Sequence, residues 1–192
     1  MAAMNPSAPN PALELLLTRR SQHHLQAPAP DAATLDLILQ AALRVPDFGQ
    51  LRPYRFLAAQ GEGLDRLGEA MQRAAIAAEK PAQAIARARH MPHRAPLVIV
   101  VVASVKASDI VPVFDQQLCA ACTVLSMQLA ARALGFGGLW RSGWMMYDAT
   151  FHGELGLTDN EQIVGLLYLG TPVAEETAPP DPANPADFLR WL

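Results

Sequence analysis

The sequence predicts an α+β fold arranged as a three-layer α/β/α sandwich, in which a four-stranded sheet lies between two layers of helices. Two uninterrupted apolar runs, Leu97–Val102 and Ile163–Gly170, have the length and composition of strands that are covered on both faces. A third apolar run, Leu118–Leu134, is helix-sized and carries apolar residues all round, which predicts a buried helix. Further strands and helices are interspersed along the rest of the chain, as the sandwich requires.

Five more helices are predicted around this long one. Pro11 suits the first turn of the first helix, and Asp31 suits the N-cap of the second, whose apolar residues then share one face. The third helix has a clear amphipathic spacing, and Pro81 restarts the fourth. The predicted helices cover residues 11–20, 31–43, 61–79, 81–89 and 147–155.

Two shorter strands, Tyr54–Ala58 and Phe136–Trp140, complete the predicted sheet. The second of them includes most of a glycine-rich turn, Gly135–Gly138, which follows the long helix. A dinucleotide-binding glycine fingerprint instead follows a strand and opens a helix, and no G-x-G-x-x-G has that position here. The sequence therefore does not favour a standard Rossmann domain.

Length and composition predict one globular domain, residues 11–192, preceded by a flexible tail of residues 1–10. Half of the 192 residues are hydrophobic and the formal net charge is −3, which excludes a disordered chain or a basic nucleic-acid-binding protein. No apolar run is long enough for a membrane span. The N-terminus lacks a signal peptide, so we expect a cytoplasmic protein with reduced thiols. The apolar residues of the last segment, Phe188–Leu192, are expected to dock on another surface, such as a partner subunit.

The cysteines and histidines do not form a convincing reactive or metal site. Cys119 and Cys122 have the spacing of a redox C-x-x-C motif, but they lie within the apolar helix rather than at its N-terminus, which favours a packing role. The histidines at 23, 24, 90 and 93 lack the spacing and the companion ligands of a metal set. We therefore predict no metal and no catalytic side-chain nucleophile.

Arginines offer the better binding candidates. Arg19 and Arg20 precede Ser21 where the first helix ends, and paired arginines hold phosphate by bidentate hydrogen bonds. The alternative is that they only compensate the helix dipole. Arg44 follows an apolar helix, where it could reach a ligand or pair with Asp47. The run Trp140–Ser142 places a ring, a cation and a hydroxyl in succession, which suggests a ligand site beside the alternative of core packing.

In combination these segments resemble the FMN-dependent nitroreductase family, and within it the small, single-domain bacterial branch of NAD(P)H nitroreductases. The resemblance extends from about Ala12 to about Leu169, and the joint order of its motifs is more specific than any one of them. The motifs are Leu15–Ser21, Ala41–Asp47, Arg94–Ile99, Gly135–Gly143 and Ile163–Pro172.

This resemblance implies a mainly antiparallel sheet and a homodimer that binds two FMN molecules at the subunit interface. By the same resemblance, one subunit supplies the motifs around the first helix and the third predicted strand, and its partner supplies the motif after the second helix. The implied FMN-binding residues are Arg19, Arg20, Ser21, Trp140, Arg141 and Ser142 of one subunit with Arg44 and Phe48 of the other.

The resemblance also implies the reaction. A flavin takes hydride at N5 from NADH or NADPH and passes electrons to nitroaromatic, quinone or similar acceptors by a ping-pong route, so no protein acid or base is required. Phe48 and Arg52 depart from the residues common in relatives, and Phe48 cannot make a polar contact with the flavin. A flavin-binding module without turnover, for storage or sensing, therefore remains an alternative, and a flavin-consuming or dehalogenating enzyme on the same fold is a third possibility.

Overall fold

A computed structural model of the chain describes residues 10–173 and 183–192, so the predicted tail of residues 1–10 lies almost wholly outside the described residues. The described residues contain six α-helices, five strands and four short 3-10 turns. In chain order the helices and strands are α1 (Pro11–Leu17), β1 (Leu25–Gln26), α2 (Ala32–Ala42), β2 (Tyr54–Gln60), α3 (Glu62–Ala77), α4 (Ala82–His90), β3 (Leu97–Ser104), α5 (Val113–Ala133), β4 (Gly137–Arg141), α6 (Ala149–Glu154) and β5 (Glu161–Pro172).

The sheet is organised around β5, which pairs with three of the other four strands. It pairs with β3 over Glu161–Leu169 and with β4 over Leu166–Gly170, while its last two residues pair with β1, and β2 pairs with β3. Every one of these pairings is antiparallel, which confirms the predicted sheet. The four predicted strands are present. The two-residue β1 was not predicted, because it is too short to show any alternation of apolar residues.

Helices cover both faces of the sheet, as the three-layer prediction required. Alternate residues of β3 point to opposite faces: Val98 and Val100 join a core with α3, α4 and α6, while Leu97 and Ile99 join a core with α2 and α5. Every residue of β3 except the last is buried, which explains why its sequence is apolar without interruption. No helix in residues 10–173 and 183–192 has the length and apolar character to cross a membrane.

The long helix α5 is buried on one side only, and the prediction that it is buried all round was wrong for a single chain. Ala120, Val124 and Met127 are fully buried against the sheet. The opposite side carries an apolar stripe of Phe114 (65% exposed), Leu118 (48%), Cys122 and Leu125 (41%). These four residues have the 4, 4, 3 spacing of one helix face. The helix is therefore apolar on two sides, of which this chain covers one.

The apolar residues of the C-terminal segment are exposed. Phe188 is 83% and Trp191 85% exposed, and both follow a short turn at Pro185–Asp187. Their predicted docking on a partner concerns a second chain, and it stays a prediction.

An ion pair fastens the edge strand β2 to the start of β5. The guanidinium of Arg55 donates to both carboxylate oxygens of Glu161, at 2.5 Å from Nε and 2.7 Å from Nη2. Only 7% of the Glu161 side chain is exposed. The Arg55 hydrogen bonds hold the pKa of Glu161 at about 2, below its ordinary value of 4.5. This pair therefore links two strands that do not pair with each other.

Replacement of Glu161 by Gln is expected to lower the free energy of unfolding at neutral pH by about 1–2 kcal/mol. This is the lower part of the range for a charged hydrogen bond, because 34% of the Arg55 side chain is exposed. Since the folded pKa is depressed, the contribution is complete above the unfolded pKa and is lost as the pH falls towards 2. Urea unfolding of both proteins across this range measures it, and the difference between them should shrink in acid.

The control for this measurement is Glu62→Gln. Glu62 pairs with Arg66 on the surface, where both side chains are mostly exposed, so its removal should leave stability nearly unchanged. Equal losses in the two variants would contradict the assigned role of Glu161.

Candidate functional site

A cleft of about 340 Å³ opens where the end of α1, the end of α5 and the start of β4 meet. Three arginines from two different segments line it, and none of the described residues that line it is acidic. Such a cleft favours an anion, and guanidinium groups suit phosphate in particular. The lining residues are Thr18, Arg19, Arg20, Gln22, Gln128, Arg132, Gly135, Phe136, Gly137, Gly138 and Pro172.

The end of α1 places the first two arginines. The Asn10 side chain caps the helix by accepting from the backbone N–H groups of Ala12 and Leu13. The helix ends at Thr18, whose hydroxyl donates to the Glu14 carbonyl at 2.7 Å. Arg19 and Arg20 therefore follow outside the helix, where their side chains reach the cleft.

The third arginine comes from the last turn of α5. Arg132 Nη2 donates to the Thr18 hydroxyl at 3.0 Å, which joins the end of α5 to the end of α1. Gln128 lies one helical turn earlier and donates to the Gly138 carbonyl at 2.8 Å. The sequence prediction missed both residues. The available signal was a glutamine and an arginine at i and i+4 on an otherwise apolar helix, the spacing that places two side chains on one face.

The glycine-rich turn allows three segments to approach closely. Gly135 has a φ of +84°, which a residue with a side chain rarely adopts. A Cβ on Gly137 would lie 2.6 Å from Leu25 Cδ2, and one on Gly138 would lie 3.0 Å from Gln128 Cγ. The backbone N–H of Gln22 also donates to the Gly138 carbonyl at 3.0 Å. The turn is therefore needed to bring β4 against α5 and the segment after α1.

The strand geometry of β4 separates Trp140 from Arg141. Trp140 packs on the side of α5 and donates from Nε1 to the Val164 carbonyl at 3.3 Å. Arg141 points to the opposite face, with Cζ 5.7 Å from the ring centroid of Tyr168. Ser142 is exposed beyond the strand. The expectation that three consecutive side chains meet at one spot is not met, because successive strand residues alternate between faces.

Arg141 and Tyr168 share a feature that is unusual for core residues. Arg141 Nε and the Tyr168 hydroxyl are both buried, and neither has a hydrogen-bond partner in the described part of the chain. Burial also raises the pKa of Tyr168, which keeps the phenol neutral. The side chain of Arg141 is therefore held at the end of β4, away from the arginine cleft.

The remaining two predicted site residues follow α2, and the turn that contains Phe48 lies near the N-terminal end of α5. Arg44 is exposed after α2, and Phe48 (72% exposed) opens a short turn that ends at Gln50. A Cβ on Gly49 would contact Val111, just before α5 begins. The arginine cleft lies at the C-terminal end of this helix, which is about 30 Å long at 1.5 Å per residue. Within one chain, the structure does not bring Arg44 and Phe48 to the cleft.

Neither cysteine has the environment of a redox thiol. Burial raises the pKa of Cys119 to about 11, so the thiol stays protonated and unreactive at neutral pH. Cys122 lies on the exposed stripe of α5. The packing interpretation is confirmed for Cys119. Among the described residues, no cluster of three or more His, Cys, Asp or Glu side chains could hold a metal ion.

Comparison with solved structures places the fold in a known class. A nitroreductase-like family protein from Bacillus cereus superposes with a TM-score of 0.82 at 21% identity, over 99% of both chains. A nitroreductase from Desulfovibrio desulfuricans, solved in complex with FMN, gives a TM-score of 0.73 at 22% identity, over 95% of this chain and 96% of that one. The chain therefore has the nitroreductase-like fold that the resemblance implied.

Sequence comparison then gives the family. The model of the nitroreductase family matches residues 16–171. The Escherichia coli K12 protein named "Putative NAD(P)H nitroreductase YdjA" is 41% identical over 181 residues, which cover 94% of this chain and 99% of the relative. The chain belongs to the nitroreductase family, a family of oxidoreductases.

Proposed function

We propose that this protein is an FMN-dependent oxidoreductase that takes hydride from NADH or NADPH and reduces nitroaromatic, quinone or similar acceptors by a ping-pong mechanism. The arginine cleft is the observation that carries the proposal, because three arginines from two separate segments converge on it. Family membership, a relative named for NAD(P)H and a structural neighbour solved with FMN support it. The same proposal places the reaction in the cytoplasm.

The residues of the cleft fit the phosphate end of FMN. Arg19, Arg20 and Arg132 would hold the phosphate, and Ser21 follows directly as a hydroxyl partner. From the cleft, β4 leads towards Trp140 and Ser142, which would lie along the rest of the cofactor. Since the Arg141 side chain packs over Tyr168, we assign it the positioning of this strand end rather than a phosphate contact.

The cofactor, when bound, supplies hydride acceptance and electron transfer, so the chain need only bind, orient and exclude water. Its residues match that task. Burial raises the pKa of Cys119 to about 11, so this thiol is not a candidate nucleophile. The described residues that line the cleft include no carboxylate or histidine that could act as an acid or base. With a quinone as acceptor, the hydride supplies two electrons and one proton, and solvent supplies a second proton. The product is the hydroquinone.

A homodimer would complete this site, and the exposed stripe of α5 is its proposed interface. Large apolar side chains in a row on a helix indicate a surface that another protein covers. In a two-fold dimer the same stripe would pack against its own copy, with the two helices antiparallel. The stripe residues Phe114 to Leu125 are centred near position 120. Position 128 of one α5 would then lie opposite about position 112 of the other.

This register would bring the Phe48 turn of one chain close to the arginine cleft of the other. Gln128 lines the arginine cleft, and position 112 is next to Val111, against which the Phe48 turn packs. The partner's Phe48 would therefore lie beside the cleft of the first chain. Arg44 lies beside Ser126, because its backbone N–H and Ser126 Oγ donate to the same Ala41 carbonyl, so the partner's Arg44 would lie further from the cleft. The proposed dimer accounts in this way for site residues at both ends of one helix.

The first test is the visible spectrum of the purified protein. The proposal predicts a yellow protein whose flavin absorbance is bleached anaerobically by NADH or NADPH and restored by a quinone. Colourless protein that does not bind added FMN would refute the proposal. Bound FMN that neither nucleotide reduces would instead support the alternative of a binding module without turnover.

The cleft is tested by comparing FMN with riboflavin, which lacks the phosphate. Arg132→Gln is expected to weaken FMN binding about tenfold or more, because it removes a charged hydrogen bond to the phosphate, and to change riboflavin binding little. Flavin fluorescence titration measures both affinities. Arg66→Gln, an exposed arginine on α3, is the matched control. An equal loss of affinity for FMN and for riboflavin would show that Arg132 does not contact the phosphate.

The interface is tested through Cys122, which lies two positions from the proposed crossing point. A short bismaleimide, which spans a gap between thiols that a direct disulfide cannot, is expected to give a covalent dimer at low protein concentration. Cys122→Ser should abolish it, since Cys119 is buried and its pKa is about 11. A protein whose Cys122 reacts readily with a monofunctional maleimide but never cross-links would contradict this interface.

A further inference from the structure

The turn after α2 is a strained segment that one carboxylate holds in place. Gly49, Gln50 and Arg52 all have positive φ, at 78°, 52° and 47°, although only the first is a glycine. Such conformations cost free energy for residues with a side chain, and they persist where the surroundings enforce them. Asp47 holds this turn in its conformation, because its carboxylate accepts hydrogen bonds from the backbone N–H groups of Leu51 at 3.1 Å and Arg52 at 2.7 Å.

The strained turn presents an apolar ring to solvent. Phe48 is 72% exposed, and its neighbours Arg44 and Arg52 are exposed cations. The charged surroundings distinguish Phe48 from the apolar stripe of α5, because the centre of a protein interface is poor in charge. Phe48 is therefore an exposed ring on a hydrogen-bonded turn, flanked in sequence by two cations and separate from the apolar stripe.

A second pinned loop lies against the first. Ser108 Oγ accepts from the backbone N–H groups of Ile110 and Val111, at 3.2 and 3.0 Å. The buried Gln116 donates to the Val111 carbonyl at 3.1 Å. Ile110 is thereby held 76% exposed, next to the residue against which Gly49 packs. Two loops with independent anchors therefore offer one large apolar side chain each.

We propose that Phe48 and Ile110 form an apolar wall that selects planar aromatic electron acceptors in the site of the partner subunit. The inference rests on the proposed function and its α5 dimer, which places this wall beside the partner's cleft. Phe48 can neither donate nor accept a conventional hydrogen bond, so its contribution to binding is the stacking or edge contact of a ring. The wall is expected to favour naphthoquinones and nitroaromatic compounds as acceptors. Asp47 is the positioning residue that holds the turn and so fixes the orientation of the Phe48 ring.

The test compares a planar acceptor with one that has no ring. The ratio of kcat/KM for a naphthoquinone to that for ferricyanide is expected to fall about fivefold to tenfold in Phe48→Ser, mainly through KM for the quinone. Phe48→Tyr keeps the ring and should retain the ratio. Asp47→Ala keeps Phe48 but frees the turn, so it should lower the ratio in the same direction. Ile76→Ser removes an exposed apolar side chain from α3 and should leave the ratio unchanged.

Binding without turnover gives a second readout. The fluorescence anisotropy of 2-naphthol reports its association with the flavin-loaded protein, and its Kd should rise by a similar factor in Phe48→Ser. A different result is a Phe48→Ser protein that binds FMN and oxidises NAD(P)H while its kcat/KM ratio and its Kd for 2-naphthol stay at the wild-type values. That result would overturn the proposed apolar wall and leave the proposed function intact. A wild-type protein that cannot bind FMN would overturn both.

Discussion

The packing of α5 across one face of the sheet is the constraint on which both halves of the candidate site depend. Its inner side fills the core with fully buried residues such as Val124 and Met127. That packing fixes the C-terminal turn of the helix, where Arg132 and the glycine-rich turn meet the end of α1. The same packing fixes its N-terminal end, against which the Phe48 turn lies. Because α5 also carries the exposed apolar stripe, the same helix holds both the cleft and the proposed dimer interface.

Different residues of the cleft supply its charge and its shape, as the binding of a flavin phosphate would require. Arginines at the ends of α1 and α5 supply fixed positive charge. The glycines have no side chains, so they let neighbouring segments approach the start of β4 closely. The turn near the opposite end of α5 has positive φ at Gln50 and Arg52 and exposes the ring of Phe48. In the proposed dimer, the polar end of the cofactor would be bound by one subunit and its reactive end bounded by the other.

Local patterns in the sequence predicted most of the fold. Leu97–Val102 and Ile163–Gly170 are apolar because helices cover both faces of their strands, and that signal is present in the chain itself. Strand β1 escaped prediction because two residues have no periodicity. The incomplete burial of α5 was not predicted, because the side that the core covers and the exposed side are both apolar in sequence.

The candidate site was harder to predict than the fold, because it depends on contacts between distant segments. Arg19 and Arg20 were predicted from a pair of cations after a helix, and they do line the cleft. Arg132 was missed because an arginine in the last turn of a helix also has the ordinary role of balancing the dipole. Arg141 was expected beside Trp140, but the alternation of a strand sends the two side chains to opposite faces.

Sedimentation velocity followed at the flavin absorption maximum tests the shared site most directly. If the cofactor is held between an arginine cleft and the partner's Phe48 turn, all of the protein-bound flavin absorbance should sediment as a dimer. On dilution, flavin should then be released as the dimer dissociates, because the two equilibria are linked. Flavin that sediments tightly bound to a monomer would contradict the account.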